Sequence, residues 1–248
     1  LYNHSGPQLN WYRSIDNDRY TDQEYHETSY GDPLVTYQLD ESKKFATLFM
    51  FNRATIAWKS PVYIDYSMQY TVYADGRIDI DAGFTKPAGA DIVRRLGLQM
   101  ILPEIFTNIR YYGFGPHENA TDRIQSAQVG LYQTTPKDME AEHYVRPQSM
   151  GNRENVRWVE FTDNRRQGIK ISAKDRLGFS ALHFHDKDLR AAKHDFELDT
   201  IRKPEIYVNL DCIQQGLGNA SCGPLPLHKY MIPMDVPVHY SFSIEAVK

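Results

Sequence analysis

Ser67-Met68-Gln69-Tyr70-Thr71-Val72-Tyr73-Ala74-Asp75-Gly76-Arg77-Ile78-Asp79-Ile80-Asp81-Ala82 is the stretch that decides the fold. Met68, Tyr70 and Val72 alternate with Ser67, Gln69 and Thr71, and Ile78, Ile80 and Ala82 alternate with Arg77, Asp79 and Asp81. Successive side chains of a strand point to opposite faces, so a period of two marks a strand with one face buried. Asp75-Gly76 between two such runs reads as a hairpin, because glycine takes the positive φ that a tight turn demands.

The same period recurs along the chain. Val159 and Phe161 lead into a polar turn at Asp163-Asn164, and Ile169, Ile171 and Ala173 alternate on the way out. Near the end, Val238, Tyr240, Phe242, Ile244 and Ala246 face one way and His239, Ser241, Ser243 and Glu245 the other. Further strands are expected over residues 48–58, 96–102, 178–185 and 206–210. Helical signals are short: residues 121–132, after a cap at Asp122, and residues 188–194. Many short strands with helix under about a tenth of the chain predict one all-β domain over residues 1–248, an antiparallel sandwich or barrel.

Composition narrows the function. The 248 residues carry a net charge of −4, with basic residues scattered rather than clustered. That argues against nucleic acid or an anionic membrane as partner. No run approaches the ~18 apolar residues of a membrane helix. Two cysteines, Cys212 and Cys222, are too few for a disulfide scaffold. Seventeen tyrosines suit sheet surfaces first, although Tyr and Trp also stack on sugar faces. The chain opens on Leu1 rather than Met and reads as an excised or processed piece.

Three segments carry a resemblance. Leu9-Asn10-Trp11-Tyr12-Arg13-Ser14-Ile15-Asp16-Asn17-Asp18 is similar to the motif that opens the last domain of the large β-galactosidases of glycoside hydrolase family 2, with Ser14-Ile15 replacing the usual Ala-Pro-Thr wording. Tyr112-Gly113-Phe114-Gly115-Pro116-His117-Glu118-Asn119-Ala120-Thr121-Asp122-Arg123 resembles the family's Gly-x-Gly-Pro-x-Glu signature, with Ala120-Thr121 in place of Tyr-Pro. Asp211 to Pro224 resembles the Gly-rich loop near the family's C-terminus. All three stand in family order and span nearly the whole chain. The resemblance implies an antiparallel supersandwich like that of galactose mutarotases. It implies a galactoside substrate, contacts with the enzyme's other domains, room for a homo-oligomer, and no cofactor in this domain; a divalent cation would sit on the enzyme's barrel.

It also implies where chemistry lies. Retaining glycosidases use two carboxylates about 5 Å apart, and the family places both on its barrel, outside these residues. No catalytic residue is therefore expected here. Glu118, in a Gly-Pro-rich loop beside Arg123, reads as a brace for its own loop rather than an acid. Gly113-Phe114-Gly115-Pro116 lacks the Lys-Ser/Thr of a phosphate loop, and its glycines read as turn residues. His183 and His185, two apart on a strand with His194 nearby, have metal-ligand spacing, but a hydrogen-bonded sheet edge is the plainer reading and no metal is expected. In the family, the loop from Gly216 to Pro224 reaches over the barrel mouth and touches sugar. The resemblance therefore nominates Asn219, Ser221 and Cys222, with Cys222 where the best-known bacterial members carry Trp. Arg19 and Tyr20 fall where some relatives have a mobile lid, but the lid's glycine is not at the matching place. The alternative is a freestanding sugar-binding or mutarotase-like module with His117 or His185 as acid/base.

Overall fold

The Asp75-Gly76 turn closes as the sequence predicts. Gly76 takes φ +90°, its amide donates to the Tyr73 carbonyl at 3.0 Å, and Tyr73 donates to the Arg77 carbonyl at 2.9 Å. The hairpin joins β5 (Val62–Tyr73) to β6 (Ile78–Phe84) in a register running from Val72 opposite Ile78 to Tyr66 opposite Phe84. The structure, a computed structural model, describes residues 6–15, 25–40, 42, 44–56, 62–90, 92–219, 223–233 and 235–248.

Among these residues, the remaining strands are β1 (Gln8–Asn10), β2 (Ser29–Tyr30), β3 (Leu34–Leu39), β4 (Phe45–Ile56), β7 (Arg95–Leu102), β8 (Asn108–Gly115), β9 (Gln128–Thr134), β10 (Arg153–Thr162), β11 (Gly168–Leu182), β12 (Ile206–Gln214) and β13 (Val238–Val247). Every named pairing is antiparallel. The main path runs β1-β7-β12-β11-β13-β6-β5-β4-β2; β10, β8 and β9 branch from β11, and β3 lies beside β2 on β4.

The fifteen-residue strand β11 organises the two halves. Gly168–Ala173 pair with β13, and Gly178–Leu182 pair with β12. Between them Lys174, Asp175 and Arg176 are exposed, so one long strand turns a corner and serves both halves. The far ends of the sheet meet through side chains. Tyr30 Oη donates to the Leu9 carbonyl at 2.7 Å, and Trp11 Nε1 donates to Thr28 Oγ1 at 2.7 Å. The curled sheet encloses a core in which Trp11, Tyr66, Phe84, Tyr111, Phe161 and Phe179 are fully buried. The Tyr111 and Phe179 rings meet edge to face at 5.2 Å.

Helices are minor: α1 (Pro136–Met139), α2 (Asp186–Ala191) and α3 (Leu198–Ile201). None is long and apolar enough to cross a membrane. The strand expected at 206–210 extends to Gln214, and that at 48–58 runs Phe45–Ile56, with Trp58 outside the described residues. Two expectations are corrected. Residues 121–132 are not helical: Gln128–Thr134 form β9, because pairing with β8 supplies a backbone partner that local propensity does not reveal. Residues 183–185 do not continue a strand. β11 stops at Leu182, and His185 caps α2, which starts two residues before the expected helix.

The glycines of the second motif are also reassigned. Gly113 and Gly115 are strand residues that let neighbours approach, not turn residues. A Cβ on Gly113 would sit 2.6 Å from Val156 Cγ2 and 2.9 Å from Val156 Cα. Gly6, by contrast, has nothing within 4 Å of such a Cβ. Gly113→Ala should therefore destabilise the fold by about 1–3 kcal/mol, the usual range for overpacking, while Gly6→Ala leaves the urea midpoint unchanged.

Candidate functional site

The three sequence segments, far apart in the chain, meet at the end of β12. Arg13, from the first, is buried and donates to the carbonyls of Gln215 and Gly216, the latter at 3.2 Å. Asp122, from the second, takes two loop amides: Leu217 N donates to Oδ1 at 2.9 Å and Gly218 N to Oδ2 at 2.8 Å. Its neighbour Arg123 donates from Nη2 to the Gly218 carbonyl at 2.7 Å. The third segment is the loop being held. Carbonyls on one side take a guanidinium, and amides on the other take a carboxylate, which gives charge-assisted bonds to both polar faces of the backbone.

Close packing tightens the same place. A Cβ on Gly216 would fall 2.7 Å from Asp122 Cγ, so only glycine lets the carboxylate sit against the loop. Gly218 takes φ +61°, a backbone that suits glycine. Beyond it, Asn219 is exposed and its amide donates to the Pro224 carbonyl at 3.2 Å, closing the loop's base. Of the nominated residues, Asn219 is thus at the exposed end of a firmly held stem. Ser221 and Cys222 lie outside the described residues, as do Arg19 and Tyr20. Cys212, on β12, is a free thiol whose Sγ lies 3.8 Å from the His239 carbonyl.

Behind the loop lies a buried polar network. Arg95 Nη1 donates to Asp186 Oδ2 at 2.9 Å and to the Tyr12 carbonyl at 3.0 Å, and Arg95 Nε lies 3.3 Å from Asp211 Oδ1. Ser149 Oγ donates to Asp186 and accepts from Ser14 N at 2.8 Å. Gln214 Nε2 bridges Asp211 Oδ2 at 2.6 Å and Asn152 Oδ1 at 2.9 Å. Asn152 Nδ2 in turn donates to Glu154 Oε1 at 2.9 Å. Burial pushes Asp211 up to about 6, outweighing the nearby Arg95. Burial, helped by the charge of Asp211, pushes Glu154 up to about 7.

Glu118 is a brace, as expected, but with other partners. It accepts from Tyr144 Oη at 2.6 Å and from the Gly151 amide at 2.6 Å, and burial raises it above the ordinary glutamate range. Arg123 is spent on Gly218 instead. The three histidines do not gather. His183 Nδ1 lies 2.9 Å from Glu140 Oε1, His185 Nδ1 accepts from Lys187 N at 3.0 Å, and His194 stacks on Phe196. Among the described residues, no three His, Cys, Asp or Glu side chains are placed to hold a metal. His117 Nε2 is 2.9 Å from Ser126 Oγ on the surface.

Residues 1–244 match the family described as β-galactosidase small chain. The chain belongs to that family. A β-galactosidase of Lactobacillus delbrueckii subsp. bulgaricus is 36% identical over 135 residues, covering 54% of this chain and 13% of the relative. One of Staphylococcus xylosus is 25% identical over 240 residues, covering 96% and 24%. The β-galactosidase BgaC of Bifidobacterium adolescentis is 28% identical, covering 72% and 17%. The small-chain sequence thus spans about a quarter or less of the curated relatives it matches. Among solved structures, an Aspergillus nidulans amine oxidase aligns with 89% of this chain and 37% of its own length at 10% identity and a TM-score of 0.27.

In the sequence, Arg13, Asp122 and Arg123 are only letters of two motifs, and nothing local marks them as holding the loop. Their partners are backbone groups some 95 to 203 residues away, which no local pattern reveals. The network also has a pH signature. A carboxylate raised on folding contributes stability that is full below its unfolded pKa and is lost as pH rises through its folded value. The folded protein should therefore lose melting temperature between about pH 4.5 and 7 through Glu154. Glu154→Gln keeps an acceptor for Asn152. It should flatten that slope and raise the melting temperature at pH 8, by a few degrees at about 2–4 °C per kcal/mol, as differential scanning calorimetry would show.

Proposed function

We propose that this chain is the C-terminal domain of a retaining β-galactosidase of glycoside hydrolase family 2, and that its loop 216–224 shapes the aglycone side of the active site. The whole enzyme would hydrolyse terminal β-D-galactosides. The family resemblance puts the paired glutamates that retention needs and a divalent cation on a barrel outside these residues, and this domain would supply the rim rather than the reacting groups.

The observation that carries the reading is the loop stem. An exposed loop usually moves, and functional loops are those a rigid scaffold positions. Here Arg13, Asp122 and Arg123 converge to fix Gln215–Gly218 while Asn219 stays exposed. Such rigidity suits a rim that must hold its place against a sugar. That the relatives are β-galactosidases supports the substrate class.

The isolated chain should show no hydrolysis of nitrophenyl β-galactoside. Turnover that survives repurification and disappears in Glu118→Gln would overturn the assignment. In the full-length enzyme, Cys222→Trp would add a stacking surface of about 150–250 Å². Steady-state kinetics should show a change of several-fold in KM for lactose, with folding intact. If KM for both lactose and an aryl galactoside stays put, the loop is only a connection.

A further inference from the structure

The outer face of the β3–β4–β5–β6–β13 sheet carries a groove of about 400 Å³. Cross-strand register puts its lining in two rows. Leu34, Phe51, Ser67, Gly83 and His239 are successive neighbours in one; Thr36, Phe49, Gln69, Asp81 and Ser241 are successive neighbours in the other. None of these residues belongs to the loop or to the buried network behind it.

The groove is divided by chemistry. On the β3–β4 side, Leu34, Phe49 and Phe51 are 72%, 42% and 45% exposed. On the β5–β6–β13 side lie Ser67, Gln69, Asp81, His239 and Ser241. Asp81 Oδ1 accepts from Ser241 Oγ, and no hydrogen bond joins the side chains of Ser67, Gln69 or His239 to another described residue. The His239 ring lies across Gly83, where a Cβ would be 2.7 Å from Nδ1. Glycine at that position therefore keeps the ring in the groove wall.

A purely apolar occupant would leave these donors and acceptors unpaired, which is costly. A purely polar one would leave two phenylalanine rings wet. A pyranose has both surfaces: a C–H face that meets an aromatic ring and hydroxyls at its rim. The dimensions agree. Strands stand about 4.8 Å apart, so the Phe49–Phe51 strand lies about 10 Å from Asp81, enough for two linked rings, and the volume is in the range of about 300–1,000 Å³ typical of ligand pockets. Asp81 is the acid of the lining, so an anionic sugar would be repelled.

We propose that this groove is a second carbohydrate site, taking a neutral disaccharide with one ring over Phe49 and Phe51 and the other hydrogen-bonded to Gln69, Asp81 and His239. It shares no residue with the loop assigned to the active-site rim and would hold substrate or a longer glycan on the domain's surface.

The test is a nitrogen-15 NMR titration of this chain with lactose and, separately, cellobiose. Saturable shifts should appear at β4, β5, β6 and β13, with a Kd in the millimolar range. Phe51→Ala and Asp81→Asn, both surface changes, should each weaken binding about tenfold with unchanged melting temperature, and Phe51→Trp should tighten it. The proposal is overturned by any of three results: no saturable shift up to about 0.1 M sugar, shifts confined to residues 215–224, or equal affinity in Phe51→Ala and the parent chain.

Discussion

Burying Arg95 is the constraint around which the rest is arranged. A guanidinium taken out of water needs paired charge and full hydrogen bonding to persist. Arg95 pairs with the carboxylates of Asp186 and Asp211 and donates from Nη1 to Asp186 and to the Tyr12 carbonyl. These partners come from the cap region of α2, from β12 and from the first motif. Satisfying one side chain therefore fixes how three parts of the chain approach one another. The sheet register agrees: Gly97 on β7 stands opposite Asp211, where a Cβ would fall 2.6 Å from Oδ1.

From that centre the order extends outward to the loop. β12 ends at Gln214, which is tied to Asp211 and Asn152. The next residues are taken over by Arg13 on their carbonyl side and Asp122 on their amide side. The chain is thus handed from a ladder of backbone bonds to a set of charged clamps without a break. The buried network supplies rigidity, and the exposed position of Asn219 supplies access. This division of labour suits the sugar-facing rim proposed for the loop.

Much of the sheet was legible in the residues. The β5–β6 hairpin and β13 show clean alternation because one face packs on the core and the other does not. β3 escaped notice for the opposite reason: Leu34 to Leu39 are all exposed, so burial imposes no period on them. β8 was hidden by Gly113 and Gly115, which read as turn residues but serve close packing against Val156, Tyr111 and Tyr132, and β9 lay partly within the stretch read as helical. Asn219 was legible only through the family resemblance. The clamps on the stem were not, since Arg13 and Asp122 recognise backbone groups rather than side-chain letters. Ser221, Cys222, Arg19 and Tyr20 fall outside the described residues.

Amide hydrogen exchange at Leu217 and Gly218 tests the central claim, that a carboxylate from the second motif holds the loop of the third. In Asp122→Ala both amides lose their acceptor. They should exchange orders of magnitude faster than in the parent chain, while amides within β12 keep their protection. If Leu217 and Gly218 stay equally protected without the Asp122 carboxylate, the loop stem is held by something else, and its proposed role as a fixed rim over the sugar site fails with it.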